Sequence, residues 1–124
     1  NAVLVDLYTD KMLTKVPFPN DYKRWASRLT ASEMDAIKQA INEKIEGHDF
    51  STSSWMPGRY DWTGTVFQPM YEKATRHDPT AAAKFLGLIV WTVFMERPER
   101  WRSDHFDLNG VAGRTYFLSA AEKA

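Results

Sequence analysis

The chain has no cysteine, which removes disulfides, thiolate zinc sites and cysteine nucleophiles together and leaves the redox setting open. It also has no net charge, with 16 Lys and Arg against 16 Asp and Glu over 124 residues. Nucleic-acid binders draw much of their affinity from phosphate neutralisation and usually carry a basic excess, so nucleic acid is disfavoured as a partner. A long apolar run is missing too. The most apolar stretch, Ala81 to Met95, has 15 residues and contains Lys84, short of the roughly 20 needed to span a bilayer. It predicts a buried core helix, and no membrane is expected. No basic stretch precedes the apolar residues at the N-terminus, so no secretory leader is expected, and the chain reads as soluble and cytoplasmic. There is no glycine-rich phosphate loop, no nucleophile elbow and no pair of histidines at helical spacing. Catalytic residues are therefore left unassigned, and neither a metal nor a cofactor is expected.

Aromatic rings are abundant by contrast, with seven Phe, five Trp and five Tyr. Rings bring large buried area and specific packing, so an ordered core is expected. Several helices can be read from apolar spacing. Tyr22, Trp25, Ala26 and Leu29 form one stripe behind Asn20 as N-cap. Thr30 and Glu33 make a capping box, with Leu29 and Met34 placed as a hydrophobic staple. Behind them Ile37, Ile41 and Ile45 continue the stripe, and Gly47 can end the helix in a left-handed conformation. Phe67, Met70, Tyr71 and Ala74 mark another helix with Pro69 in its first turn. Asp78-Pro79 is a helix start, with Asp as cap and Pro at the first position. Val3 to Leu13 suits either a helix or a strand and is taken as helix.

The C-terminal part changes period. Asn109-Gly110 between two alternating segments is a hairpin signal, and Gly113 suggests a bulge. These patterns predict a mainly α fold, a compact bundle of four to five helices with a small C-terminal β-hairpin, as a single globular domain over residues 1–124.

Three candidate chemistries follow. Each histidine has an Asp neighbour (His48-Asp49, His77-Asp78, Asp104-His105), but adjacent side chains do not converge on one ion. Asp78 already has work as a cap, and His77 suits the end of the preceding helix. Arg97, Arg100 and Arg102 surround Trp101, an ingredient of phosphate or nucleic-acid binding, yet Glu96, Glu99 and Asp104 cancel the charge. A hairpin after a helix is also a winged-helix feature, but Ala81 to Met95 is too apolar to read a DNA groove.

The third candidate is the segment from His48 to Gly64. It combines turn residues with rings and is long for a loop of a compact domain. Trp55, Arg59, Tyr60, Asp61 and Trp62 are its candidate partner- or ligand-binding residues, since Trp, Tyr and Arg dominate binding hot spots. The leading expectation is a non-enzymatic interaction or assembly domain that uses this loop on a protein partner or a second copy. The alternative is a small enzyme or ligand-binding protein with a pocket at residues 48–64 that takes a small molecule. Inward-folded rings that plug the core are a third possibility.

Overall fold

The computed structural model describes residues 3–48, 50–52, 62–108 and 111–119. Strand β1 spans Val3–Asp6, helix α1 Pro19–Ala26 and helix α2 Ala31–Ile45. Strand β2 (Phe50–Thr52) and a π-helical turn at Met70–Ala74 lead to helix α3, Pro79–Glu96. Strands β3 (Arg100–Leu108) and β4 (Val111–Leu118) complete the order. The four strands form one mixed sheet in the order β1-β3-β4-β2, with β1 parallel to β3 and the other pairs antiparallel.

The fold is therefore mixed α/β, not a helical bundle with a lone hairpin. The hairpin itself is present, and its register runs unbroken past Gly113 with no bulge. What periodicity missed are the two edge strands. β1 and β2 have four and three residues, too short for a reliable alternation, and each is held by a partner distant in sequence. Val3–Asp6 becomes a strand because β3 offers a free edge and β-branched Val suits a pleated surface. The Asp6 carboxylate then accepts the Tyr8 and Thr9 amides, both at 3.0 Å, and turns the chain. These two bonds favour the charged form and hold the Asp6 pKa below its ordinary value.

One face of the sheet carries the core. Pairing places Leu4 beside Trp101, Trp101 beside Leu118 and Ser103 beside Tyr116, so these side chains share a face. α3 lies on that face. Phe94 stacks on Tyr116 at 3.9 Å between centroids and meets Trp101 edge-on at 4.8 Å. On the other side of α3, Phe85 contacts Tyr22 and Trp25 of α1. A helix sandwiched between sheet and helices needs apolar residues nearly all round, and ten residues of α3 are buried. Lys84 lies on the exposed strip as expected, bonded to Asp21 Oδ2 at 2.9 Å.

The start of α2 follows the sequence pattern. Glu33 N donates to Thr30 Oγ1 at 3.1 Å, and Thr30 N donates to Glu33 Oε1 at 2.8 Å. Thr30→Ala is expected to cost about 0.5–2 kcal/mol, because the Glu33 amide loses its acceptor. Urea melts of both proteins measure it, and coincident curves would mean the cap does not stabilise α2. Gly47 takes φ 82° just beyond the helix, and Asp78 Oδ1 caps the Thr80 and Ala81 amides. α1 differs from expectation. It starts at Pro19, not behind Asn20, and Phe18 at its N-cap has φ 52° and makes no side-chain cap bond.

Candidate functional site

Of the five loop residues proposed for binding, Trp55, Arg59, Tyr60 and Asp61 lie outside the described residues. Trp62 is described, and it is buried at 4% exposure where the loop reading expected an exposed ring. It packs on Tyr71 with centroids 5.3 Å apart. Its indole Nε1 has no hydrogen-bond partner among the described residues. A buried N–H left unpaired carries its full desolvation cost.

From Trp62 a connected corner extends to His77. The Trp62 carbonyl accepts from Thr65 N and Oγ1, and Gly64, at φ 77°, donates its amide to Gln68 Oε1 at 2.8 Å. Gln68 Nε2 in turn donates to Glu72 Oε1 at 2.7 Å. The other oxygen of Glu72 lies 3.7 Å from His77 Nε2. The His77 ring meets Tyr71 edge-on at 5.2 Å. One turn and one amide side chain thus hold a carboxylate near one imidazole, without a hydrogen bond between the two.

The local backbone makes this meeting possible. Residues five apart on an α-helix point about 140° away from each other, so Glu72 and His77 would not meet on the helix the sequence predicts. Here Met70–Ala74 is a π turn, closed by Thr75 N donating to Met70 O at 3.2 Å. Arg76 and His77 then both adopt left-handed conformations, φ 54° and 65°, and His77 N donates back to Tyr71 O at 2.8 Å. Consecutive non-glycine residues in this region store strain, and such strain concentrates at functional sites. A π turn is itself frequent at such sites.

Beside this corner lies positive charge. Arg28 Nη1 donates to Ala74 O at 2.7 Å, two residues before Arg76. Loss of water pushes the Arg28 pKa down, and the neighbouring Arg76 and Arg24 charges push it further the same way. No ion pair to Arg76 occurs among the described residues. No three described His, Asp or Glu side chains converge where a metal ion would sit.

A second feature is an open groove of about 490 Å³ between the end of α2 and residues Glu96–Glu99. Its centre is Arg97. Its Nη1 donates to Asn42 Oδ1 at 2.7 Å, Nη2 to Glu46 at 3.2 Å, and Nε and Nη2 form a fork on Glu99 at 2.9 and 3.3 Å. Trp101 Nε1 also donates to Glu99, at 3.0 Å. These polar groups already hold one another, so the arrangement locks α2, α3 and β3 together. Arg97 of the arginine-rich stretch singled out in the sequence is thus part of a structural knot, while Arg102 pairs with Asp10.

Partial burial alone would raise the Glu99 pKa, but the Arg97 and Trp101 bonds outweigh it and hold the carboxyl below its ordinary value. A folded-state pKa below the unfolded one contributes stability above the unfolded value, and that contribution is lost as pH falls through the folded pKa. Glu99→Gln is therefore expected to be less stable at neutral pH and to lose less stability on acidification. Urea midpoints against pH check this. A variant whose acid limb parallels that of the parent protein would overturn it.

No family model and no solved structure matches the chain. A curated relative does: a diacylglycerol kinase of Helicobacter pylori is 30% identical over 77 residues, 62% of this chain and 50% of that protein. The matching stretch spans about half the length of that relative. α3 is 18 residues long with mean hydropathy 1.2, long and apolar enough by length and composition to cross a membrane, with 56% of it buried inside the fold. These two findings correct the expectation of a soluble, cytoplasmic, non-enzymatic interaction module. The alternative reading, an enzyme or ligand-binding protein, is the one they favour.

Proposed function

We propose that this chain is an enzyme that transfers a phosphoryl group to the hydroxyl of a lipid alcohol, with its site at the Trp62–Tyr71–His77 corner. The carrying observation is the His77 imidazole, 3.7 Å from a Glu72 oxygen, next in the chain to Arg76 and three residues after the Ala74 carbonyl that Arg28 holds. A base oriented by a carboxylate, next to cations that can meet developing phosphate charge, is what such a reaction requires. Similarity to a diacylglycerol kinase supports the choice of phosphoryl donor and lipid acceptor.

In this reading Glu72 faces Nε2 and holds its proton, which leaves Nδ1 to accept the acceptor's hydroxyl proton. The hydroxyl oxygen then bonds to the terminal phosphorus of a nucleoside triphosphate, the bond to the bridging oxygen breaks, and the diphosphate leaves. Arg76 and Arg28 stabilise the negative charge spread over the transferring group. The 3.7 Å separation of His77 and Glu72 is long for a hydrogen bond, and catalytic contacts commonly tighten once substrate binds.

The test is incubation of the protein with a nucleoside triphosphate labelled at its terminal phosphate and diacylglycerol in detergent micelles. Labelled lipid phosphate is the expected product, and it should fall strongly in Arg76→Asn, where Asn tolerates the left-handed backbone. If the protein binds nucleotide but labels no acceptor, it is a ligand-binding protein and the transferase reading fails.

A further inference from the structure

At the end of the π turn stands a buried hydroxyl that the reaction above does not use. Thr75 is 5% exposed, and its Oγ1 lies 3.2 Å from the Met70 carbonyl oxygen and 3.1 Å from that of Tyr71. A hydroxyl has one proton to donate, so the two carbonyls share it. On a regular α-helix the Thr75 amide would donate to Tyr71 O, four residues back. That oxygen is already taken. A carbonyl has two lone pairs, and here the His77 amide occupies one at 2.8 Å while the Thr75 hydroxyl occupies the other. The Thr75 amide is left with Met70 O, at 3.2 Å, and that bond closes the π turn. Ser and Thr hydroxyls that bond back to the preceding turn bend helices. In this corner the hydroxyl selects the wider turn.

We propose that the Thr75 hydroxyl is a positioning group for the corner: by occupying Tyr71 O it holds the π turn, and the π turn places His77 against Tyr71 and near Glu72. Without the hydroxyl, the amide of residue 75 can return to Tyr71 O and the turn can tighten to an α-helix. Residues six apart on an α-helix point about 120° away from each other, so His77 would leave the Tyr71 ring as well as Glu72. The two carbonyls would keep an amide each, so the substitution removes a choice between turns and leaves no buried group unpaired. The effect on rate rests on the transferase reading above, whereas the effect on the His77 ring does not.

Three variants test it. Thr75→Val keeps the shape and lacks the hydroxyl, Thr75→Ala lacks both hydroxyl and methyl, and Thr75→Ser keeps the hydroxyl alone. The first readout is the nuclear Overhauser contact between the His77 and Tyr71 rings, whose centroids are 5.2 Å apart, and it needs no substrate. The contact is expected in the parent protein and in Thr75→Ser, and it should be lost in Thr75→Val and Thr75→Ala. The second readout is labelling of diacylglycerol. In the two variants without a hydroxyl kcat should fall about 10²-fold, the cost of displacing a reacting group by an ångström or so, with KM little changed and Thr75→Ser close to the parent protein. If the ring contact follows the hydroxyl but the parent protein labels no lipid, the transferase reading fails and the role of Thr75 stands. A ring contact that survives in Thr75→Val and Thr75→Ala, or that is lost equally in Thr75→Ser, would overturn the proposal. So would rates that merely track the melting temperature across the series.

Discussion

Replacing His77 with alanine is expected to lower the rate of phosphoryl transfer by about 10²–10⁴-fold, the usual contribution of a positioned general base. The effect should fall on kcat with little change in KM, because the imidazole acts on the proton in flight and does not grip either substrate. The His77 side chain is 63% exposed, meeting the edge of Tyr71 and lying 3.7 Å from a Glu72 oxygen. Loss of the ring contacts should therefore cost little, and the thermal midpoint should fall only by the strain of alanine at φ 65°. Glu72→Gln should give a smaller loss with the same kcat signature, since Glu72 orients the base and does not touch the transferring group. Steady-state kinetics and melting curves on both variants check this. A variant that loses activity only in proportion to its stability would deny His77 a chemical role.

Phe94→Ala is expected to destabilise the domain by about 3–5 kcal/mol, the range for deletion of a buried ring. Phe94 is fully buried and lies nearly parallel to Tyr116, 9° between planes, with Trp101 against its edge. It is the point where α3 is fastened to the sheet, so the cavity would open between the two layers. A domain of this size has roughly 5–15 kcal/mol in total, and the variant should be largely unfolded at mild denaturant concentrations. Burial also pushes the Tyr116 phenol pKa up, so Tyr116 stays neutral over the working range and serves as a packing ring. Denaturant titration of Phe94→Ala measures the effect. A loss below about 1 kcal/mol would mean that α3 is held to the sheet by other contacts.

The elements that local chemistry specifies were legible in the sequence. The Thr30/Glu33 box, the Asp78-Pro79 start, the buried face of α3 and the solvated Lys84 all depend on residues within a turn or two of one another. β1 and β2 were not legible, because they are strands only by virtue of β3 and β4, far away in the chain. The same limit applies to the site. Trp62 was singled out for an exposed binding role, yet its ring is buried against Tyr71. His77 was read with its neighbour Asp78, but Asp78 caps α3 and the partner of His77 is Glu72, five residues back. A spacing of five has no meaning on an α-helix. It acquires one only through the π turn and two left-handed residues, neither of which carries a glycine to announce it.

Chemical rescue of His77→Ala tests the proposed site most directly. Removal of the ring leaves an exposed space beside Tyr71 and Glu72, into which free imidazole can diffuse. Transfer of label to diacylglycerol by the variant should rise with added imidazole and level off as the space fills, while the parent protein is unaffected. A rate that stays flat across the imidazole series, in a variant that melts like the parent protein and still binds nucleotide, would contradict the assignment of His77 as the base.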